Sequence, residues 1–170
     1  MLARCFDDKF KEKRPTYKDV TCCDRWLYFA NFLEDLEILK QEYNWSSDKK
    51  LSLDKDIIHK SNKLYSLENC VLVPDCINSL FVKNNVTRGN YPVGVSYDNR
   101  AKKYEAQCHI NKKYVRLGRY NTPEEAFNAY KIVKENEIKR IANECVSKGY
   151  MTKDSRLYKA MISYQIDIDD

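Results

Sequence analysis

Glycine and proline are scarce in this 170-residue chain, four of each, against thirteen tyrosines and a 43% share of hydrophobic residues. Disordered chains show the opposite balance, so disorder and low complexity are argued against. No run approaches eighteen apolar residues, which argues against a membrane-spanning helix. The opening residues, MLARCFDDKF, lack the apolar core of a secretory signal. Seven cysteines lie at 5, 22, 23, 70, 76, 108 and 145, an odd number with no CxxC pair. Buried thiols in a reducing cytoplasm explain that pattern better than a disulfide framework. Cys5, Cys22 and Cys70 have no zinc-ligand spacing, so no structural zinc is expected. The length suits one domain or two small ones.

Charge is present but unevenly spread. The whole chain has 30 basic and 25 acidic side chains. Residues 1–80 carry 13 basic and 14 acidic groups, and residues 122–170 carry 8 and 9. Residues 81–121 hold nine basic groups (Lys83, Arg88, Arg100, Lys102, Lys103, Lys112, Lys113, Arg116, Arg119) and only Asp98 and Glu105 against them. The excess of the whole protein sits in this one segment. A concentrated basic block points to a polyanionic partner. The alternative is a solvated, loop-rich face.

Patterning divides the chain. Trp26, Phe29, Phe32, Leu33, Leu36 and Leu39 recur at helical spacing, with a start near Asp19–Thr21. Trp26, Tyr28, Phe29 and Phe32 are expected to pack beneath the stretch that follows the polar loop 42–50. That stretch opens with Leu51, Leu53, Ile57 and Ile58, an extended run in which alternation puts Asp54 and Asp56 on one face and Leu53 and Lys55 on the other. Lys60 to Lys63 reads as a turn. Cys70 to Val73 reads as a second strand stopped by Pro74. Asp75 can cap a helix carrying Ile77, Asn78 and Leu80. Two strands and a helix would bring Asp54, Asp56 and Asn78 to one place.

The second half alternates more clearly. Tyr104, Ala106, Cys108 and Ile110 face one way, and Lys103, Glu105, Gln107 and His109 the other. Val115 and Leu117 continue the inward set, and Tyr114 and Arg116 the outward one. Asn111-Lys112 makes a hairpin turn, and Gly94 to Tyr97 supplies a third strand. Thr122, Pro123 and Glu125 form a helix start with a capping box, followed by Ala126, Phe127, Ala129, Tyr130, Val133, Ile141 and Ala142 to cover the sheet. Residues 150–170 have helical spacing, are expected to pack back on this helix, and end in aspartates expected in solvent. Residues 81–92 read as a linker, either lying along phosphates or serving as a spacer.

Two resemblances follow from these residues. Asp54, Ser66-Leu67-Glu68-Asn69, and Asn78 nine positions after Asn69, resemble the HNH-type nucleases of bacteriophages, built on a two-strand, one-helix metal finger. The stretch RPTYKDVTCCDRWLYFANF extends the likeness. The family's chains begin earlier, so this chain is expected to be shortened at its start. Gly94-Val95, Tyr104 with Ala106, Leu117 to Tyr120, Glu125-Ala126 and Ala129-Tyr130 resemble the ethylene-response-factor (apetala-type) DNA-binding domain. The expected fold is α+β: an N-terminal helical segment with the HNH-like finger over 1–80, a basic linker over 81–92, and over 93–170 a three-stranded antiparallel sheet on one long helix with a helical tail.

The first resemblance implies one Mg2+ or Mn2+ ion held by Asp54, Asp56 and Asn78. A neutral histidine is the usual base. Lys55 stands at that position, where an ammonium offers no lone pair. His59 is the alternative base, or else an exposed turn residue. Asn69 is expected to tie the loop to the helix. The second resemblance implies base-facing positions at Ser96, Gln107, His109, Tyr114 and Arg116, with Arg100, Lys102 and Lys103 nearer phosphate. The expected partner is double-stranded DNA, with no membrane, in a bacterial cytoplasm and of phage origin. Two functions fit: a metal-dependent DNA endonuclease, or a catalytically inactive DNA- or protein-binding factor, including an inhibitor of a host nuclease defence such as a CRISPR effector.

Overall fold

A computed structural model describes residues 1–82, 91–111 and 113–169. Most of the expected linker, Lys112 of the hairpin turn and the terminal Asp170 fall outside the described residues. In chain order the elements of the first half are α1 (Leu2–Phe6), α2 (Asp8–Lys13), β1 (Thr21–Cys22), α3 (Phe29–Gln41), β2 (Leu51–Asp54), β3 (Leu64–Tyr65), β4 (Val71–Pro74) and α4 (Asp75–Phe81). Then come β5 (Val95–Asp98), β6 (Lys103–Ile110), β7 (Lys113–Tyr120), α5 (Pro123–Ser147) and α6 (Arg156–Ser163). The fold is mixed α+β. It divides into two units, Met1–Phe81 with Cys145–Met161, and Val82–Glu144 with Ile162–Asp170. Among the described residues no helix is long and apolar enough to cross a membrane.

The first unit packs around Cys5, Val20, Cys22, Trp26, Leu39, Tyr65, Cys70 and Leu72. Helical spacing alone predicts a helix from about residue 20, but Asp24–Leu27 is a 3-10 turn and α3 starts at Phe29. Asp35 supplies the reason. Its buried carboxylate accepts the Trp26 indole N–H at 2.7 Å and the Arg25 Nε at 3.1 Å, folding the turn back on the helix. Burial alone would push its acidity the other way, yet these donors hold Asp35 below the usual carboxylate range. Trp26 meets Phe32 edge-on at 5.2 Å. Tyr28 and Phe29, expected in the core, are each 70% exposed.

Two small pairings complete this unit. β1 and β3 run parallel, Cys22 beside Tyr65. β2 and β4 run antiparallel, from Leu51 opposite Pro74 to Asp54 opposite Val71. β4 is buried along its whole length, as its unbroken apolar run requires. The Ser52 hydroxyl donates to Asp75 at 3.0 Å and fastens α4 to β2. The tail is divided rather than lying wholly on α5. Arg156 in α6 pairs with Glu42 at 2.7 Å and donates to the carbonyls of Leu67, Glu68 and Cys70 in this unit. Ile166 belongs to the other core.

The second unit is a sheet of order β5-β6-β7, all antiparallel. Val95, Ala106 and Cys108 share one core with Ala126, Phe127 and Tyr130 of α5. Thr122 and Glu125 exchange hydrogen bonds, amide of 125 to hydroxyl at 3.2 Å and amide of 122 to carboxylate at 3.3 Å, completing the capping box. Glu137 on α5 is buried, accepts the Asn111 amide at 2.9 Å and pairs with Arg140 at 2.7 Å. Arg140 in turn donates to the Asn111 side chain at 2.7 Å, so the helix grips the β6–β7 turn. Gly94 sits under the Tyr130 ring at a φ of +77°, and a Cβ there would lie 2.1 Å from that ring.

Gly149 has a similar φ of +70° but open space around it. Gly149→Ala should therefore cost only the left-handed backbone penalty, about 1–2 kcal/mol. Gly94→Ala should cost that plus overpacking of roughly 1–3 kcal/mol. Urea denaturation midpoints of the two variants check this; equal losses would mean that the ring yields freely.

Candidate functional site

β2 ends at Asp54 because its own carboxylate turns the chain. Asp54 Oδ1 accepts the amides of Asp56 at 2.9 Å and Ile57 at 3.0 Å, an Asx-type bend that outcompetes further strand. The expected alternation through Asp56 stops there. Lys55, placed by alternation opposite the carboxylates, is buried and pairs with Asp56 at 2.9 Å. Its ammonium also lies 5.8 Å from the centre of the Tyr65 ring. Arg4 donates to the Tyr65 hydroxyl at 2.9 Å. Burial, and next the neighbouring Asp56 carboxylate, push Asp54 up to about 6.

The bend thus brings Asp54, Lys55 and Asp56 together. His59 is exposed, and its carbonyl accepts the Asn62 amide at 3.0 Å. The loop is closed by Asn62, whose Nδ2 donates to the carbonyls of Lys55 at 2.7 Å and Leu64 at 2.8 Å. The Asn69 side chain donates to the Leu64 carbonyl at 3.4 Å and its amide to the Ser66 hydroxyl at 3.4 Å, tying the loop to β3 rather than to a helix. Asn78 is half-buried on α4, and among the described residues no hydrogen bond joins it to Asp54 or Asp56. Arg4 and Tyr65 complete the surroundings, and no spacing in the chain points to either.

Asp54 and Asp56 suit a hard divalent ion, because a cation would relieve two carboxylates held side by side with one of them reluctant to ionise. Among the described residues no three His, Cys, Asp or Glu side chains come together.

The outer face of the β5–β7 sheet is the second candidate. Ladder register places Ser96 beside Glu105, Asp98 beside Lys103, Gln107 beside Arg116 and His109 beside Tyr114. Simple alternation along β7 would turn Arg116 and Arg119 to opposite faces. A bulge intervenes: Arg116 pairs with Gln107 and Gly118 with Ala106, leaving Leu117 as the extra residue. Arg119 therefore joins Arg116 on the outer face, opposite Glu105. Arg116 meets Glu105 at 2.7 Å, and Arg119 meets Glu105 at 3.5 Å and Asp98 at 2.9 Å. The Glu105 charge raises the Arg116 guanidinium further above its ordinary value. Tyr114 donates to Gln107, and its ring meets His109 edge-on at 5.8 Å.

Arg119 was missed by alternation, and the signal for it was Gly118, since a glycine inside a strand marks a bulge. Lys103 is exposed on the outer face, and Arg100 and Lys102 lie in the β5–β6 turn beside it. The Asp98 carboxylate shapes that turn, accepting the amides of Arg100 at 2.9 Å and Ala101 at 3.2 Å.

Set against protein-family models, curated proteins and solved structures, the chain matches none.

Asp54 titrates near 6 in the fold and near 3.8 when unperturbed. The folded state binds the extra proton between these values, so stability falls as pH rises from about 4 to about 6. Asp54→Asn keeps an oxygen for both amides and has no such loss. Its melting temperature should gain on that of the unsubstituted protein across this window and stay level with it below. A gap that does not change with pH would remove the desolvated carboxylate from the account.

Proposed function

We propose that the protein binds duplex DNA through the outer face of the β5–β7 sheet and that the Asp54–Asp56 bend is the centre of an HNH-like, metal-dependent endonuclease. The observation that carries the first part is the bulge at Leu117. It gathers Arg116, Arg119, Gln107 and Tyr114 on one exposed surface, with Arg100, Lys102 and Lys103 alongside. A short antiparallel sheet fits the major groove, where arginine and glutamine side chains read base edges. On this reading residues 93–147 are an apetala-type domain, and residues 51–81 a finger of the ββα-metal type, in a phage-derived protein of the bacterial cytoplasm.

For cleavage, Asp54 and Asp56 would hold a Mg2+ or Mn2+ ion. Bound there, the ion would neutralise charge on the scissile phosphate. Lys55 and Arg4 flank the carboxylates and can offset phosphate charge beside them. Asp54 must be ionised to serve, so activity should rise with pH through about 6.

A second reading, a binding factor without catalysis, is favoured by the pairing of buried Lys55 with Asp56, which already supplies that carboxylate with a cation. The exposed His59 favours it as well. The partner would then be DNA or a host nuclease.

Gel shifts of the intact chain should give duplex binding at about 50 mM salt that weakens steeply as salt rises. Lys103→Ala should weaken all sequences alike, and Arg116→Ala should cost roughly 1–3 kcal/mol of discrimination. No shift at low salt would end the DNA reading. Plasmid nicking with Mg2+ or Mn2+ chooses between the two readings of the bend. A nuclease nicks, and Asp54→Ala abolishes nicking while affinity persists; absence of nicking with either ion leaves the binding factor.

A further inference from the structure

Glu105 is an odd residue to find on a DNA-reading surface. It lies at the middle of β6 on the outer face, within the most basic segment of the chain, and its side chain is only 8% exposed. Burying a carboxylate costs several kcal/mol unless cations meet it. Two do: Arg116 through Nε at 2.7 Å and Arg119 through Nε at 3.5 Å. The two arginines differ in freedom. Arg119 is also held at Nη2 by Asp98, at 2.9 Å, whereas the Arg116 side chain is 59% exposed. Arg119 is locked into the sheet, and Arg116 is tethered near its stem with its tip toward solvent.

Resting on the duplex-reading assignment, we propose that Glu105 is a positioning residue that makes this face selective for a guanine read by Arg116. Glu105 at Nε, with Tyr114 also against the guanidinium, restrains the Arg116 fork on the outer face before it meets the paired O6 and N7 acceptors of guanine. Ordering the fork beforehand removes an entropy cost that binding would otherwise carry. The same carboxylate works against loose association. Its charge opposes the phosphates, and its place is set by the two arginines that meet it. Glu105 therefore lowers affinity for DNA in general and raises the contrast between a guanine and any other base. The Leu117 bulge is part of the device, since without it Arg119 could not share the carboxylate with Arg116.

The test uses the intact chain. A preferred site is first selected from a pool of random duplexes, and each G·C pair in it is then replaced by A·T. Binding of the unsubstituted protein should fall by roughly 5- to 150-fold at one guanine, and Arg116→Ala should erase that difference. Glu105→Gln should shrink the same difference severalfold while binding unrelated duplex several times more tightly. A residue that merely held the sheet together would lower both affinities when changed. Arg116→Lys, at an exposed position, retains the charge and the pairing with Glu105 but lacks the fork. It should lose discrimination at that guanine, which keeps the reading of guanine by Arg116 decidable if Glu105→Gln does not fold. Discrimination unchanged in Glu105→Gln or in Arg116→Lys would overturn the proposal. So would a selection that returns no preferred sequence, although duplex binding itself would then stand. Failure of the unsubstituted protein to bind any duplex would remove both.

Discussion

A carboxylate taken out of water must be met by donors, and this constraint shapes each unit. Asp35 joins a 3-10 turn to α3 through Trp26 and Arg25. Glu137 joins α5 to the β6–β7 turn through Asn111 and Arg140. Glu105 joins β6 to β7 across the outer face. Each lies where two elements have to be held in one geometry, and each is met by arginine. Asp54 breaks the pattern. Two backbone amides meet it, but another carboxylate lies beside it, and it ionises reluctantly. Local conflict of this kind gathers where chemistry is done.

Charge on the sheet is similarly more structured than its sum. Arg116 and Arg119 are largely offset by Glu105 and Asp98, so the outer face is a patterned surface and not simply a positive one. Among the described residues no ion pair meets Arg100, Lys102 or Lys103 around the β5–β6 turn. Two duties follow for one small sheet. On the proposed reading, the turn would attract phosphate without regard to sequence, and the centre would offer fixed hydrogen-bonding groups to base edges.

Much of this architecture was legible in local pattern. The capping box at Thr122, the alternation of β6, and the paired strands at Leu51–Asp54 and Val71–Pro74 all rest on interactions between near neighbours. What escaped were effects of tertiary context or of a single irregular residue. Lys55 was assigned by period-two alternation to the face opposite Asp56, but the Asx bend at Asp54 ended the strand and its ammonium pairs with Asp56. Phe29 fits a helical apolar stripe and Tyr28 was expected to pack beneath the stretch after the loop, yet the pull of Asp35 on Trp26 set the turn so that both are exposed. Arg119 was hidden by a bulge that shifts the phase of β7. Arg4 is fifty residues from Asp54, and only the fold places it beside Tyr65.

The order in which the units close along the chain carries a consequence for how the protein is made. Cys145–Met161 belongs with the first unit, and Ile162–Asp170 with the second. Tyr150, whose carbonyl accepts the Asn44 amide, and Arg156, which pairs with Glu42, leave the ribosome long after the residues they secure. The Met1–Phe81 segment therefore waits for the contacts that Cys145–Met161 brings to it. Vectorial folding, in which an N-terminal domain is complete before the next begins, is closed to this topology. Neither unit is complete before the other has begun, because each draws on a segment that follows the long helix α5.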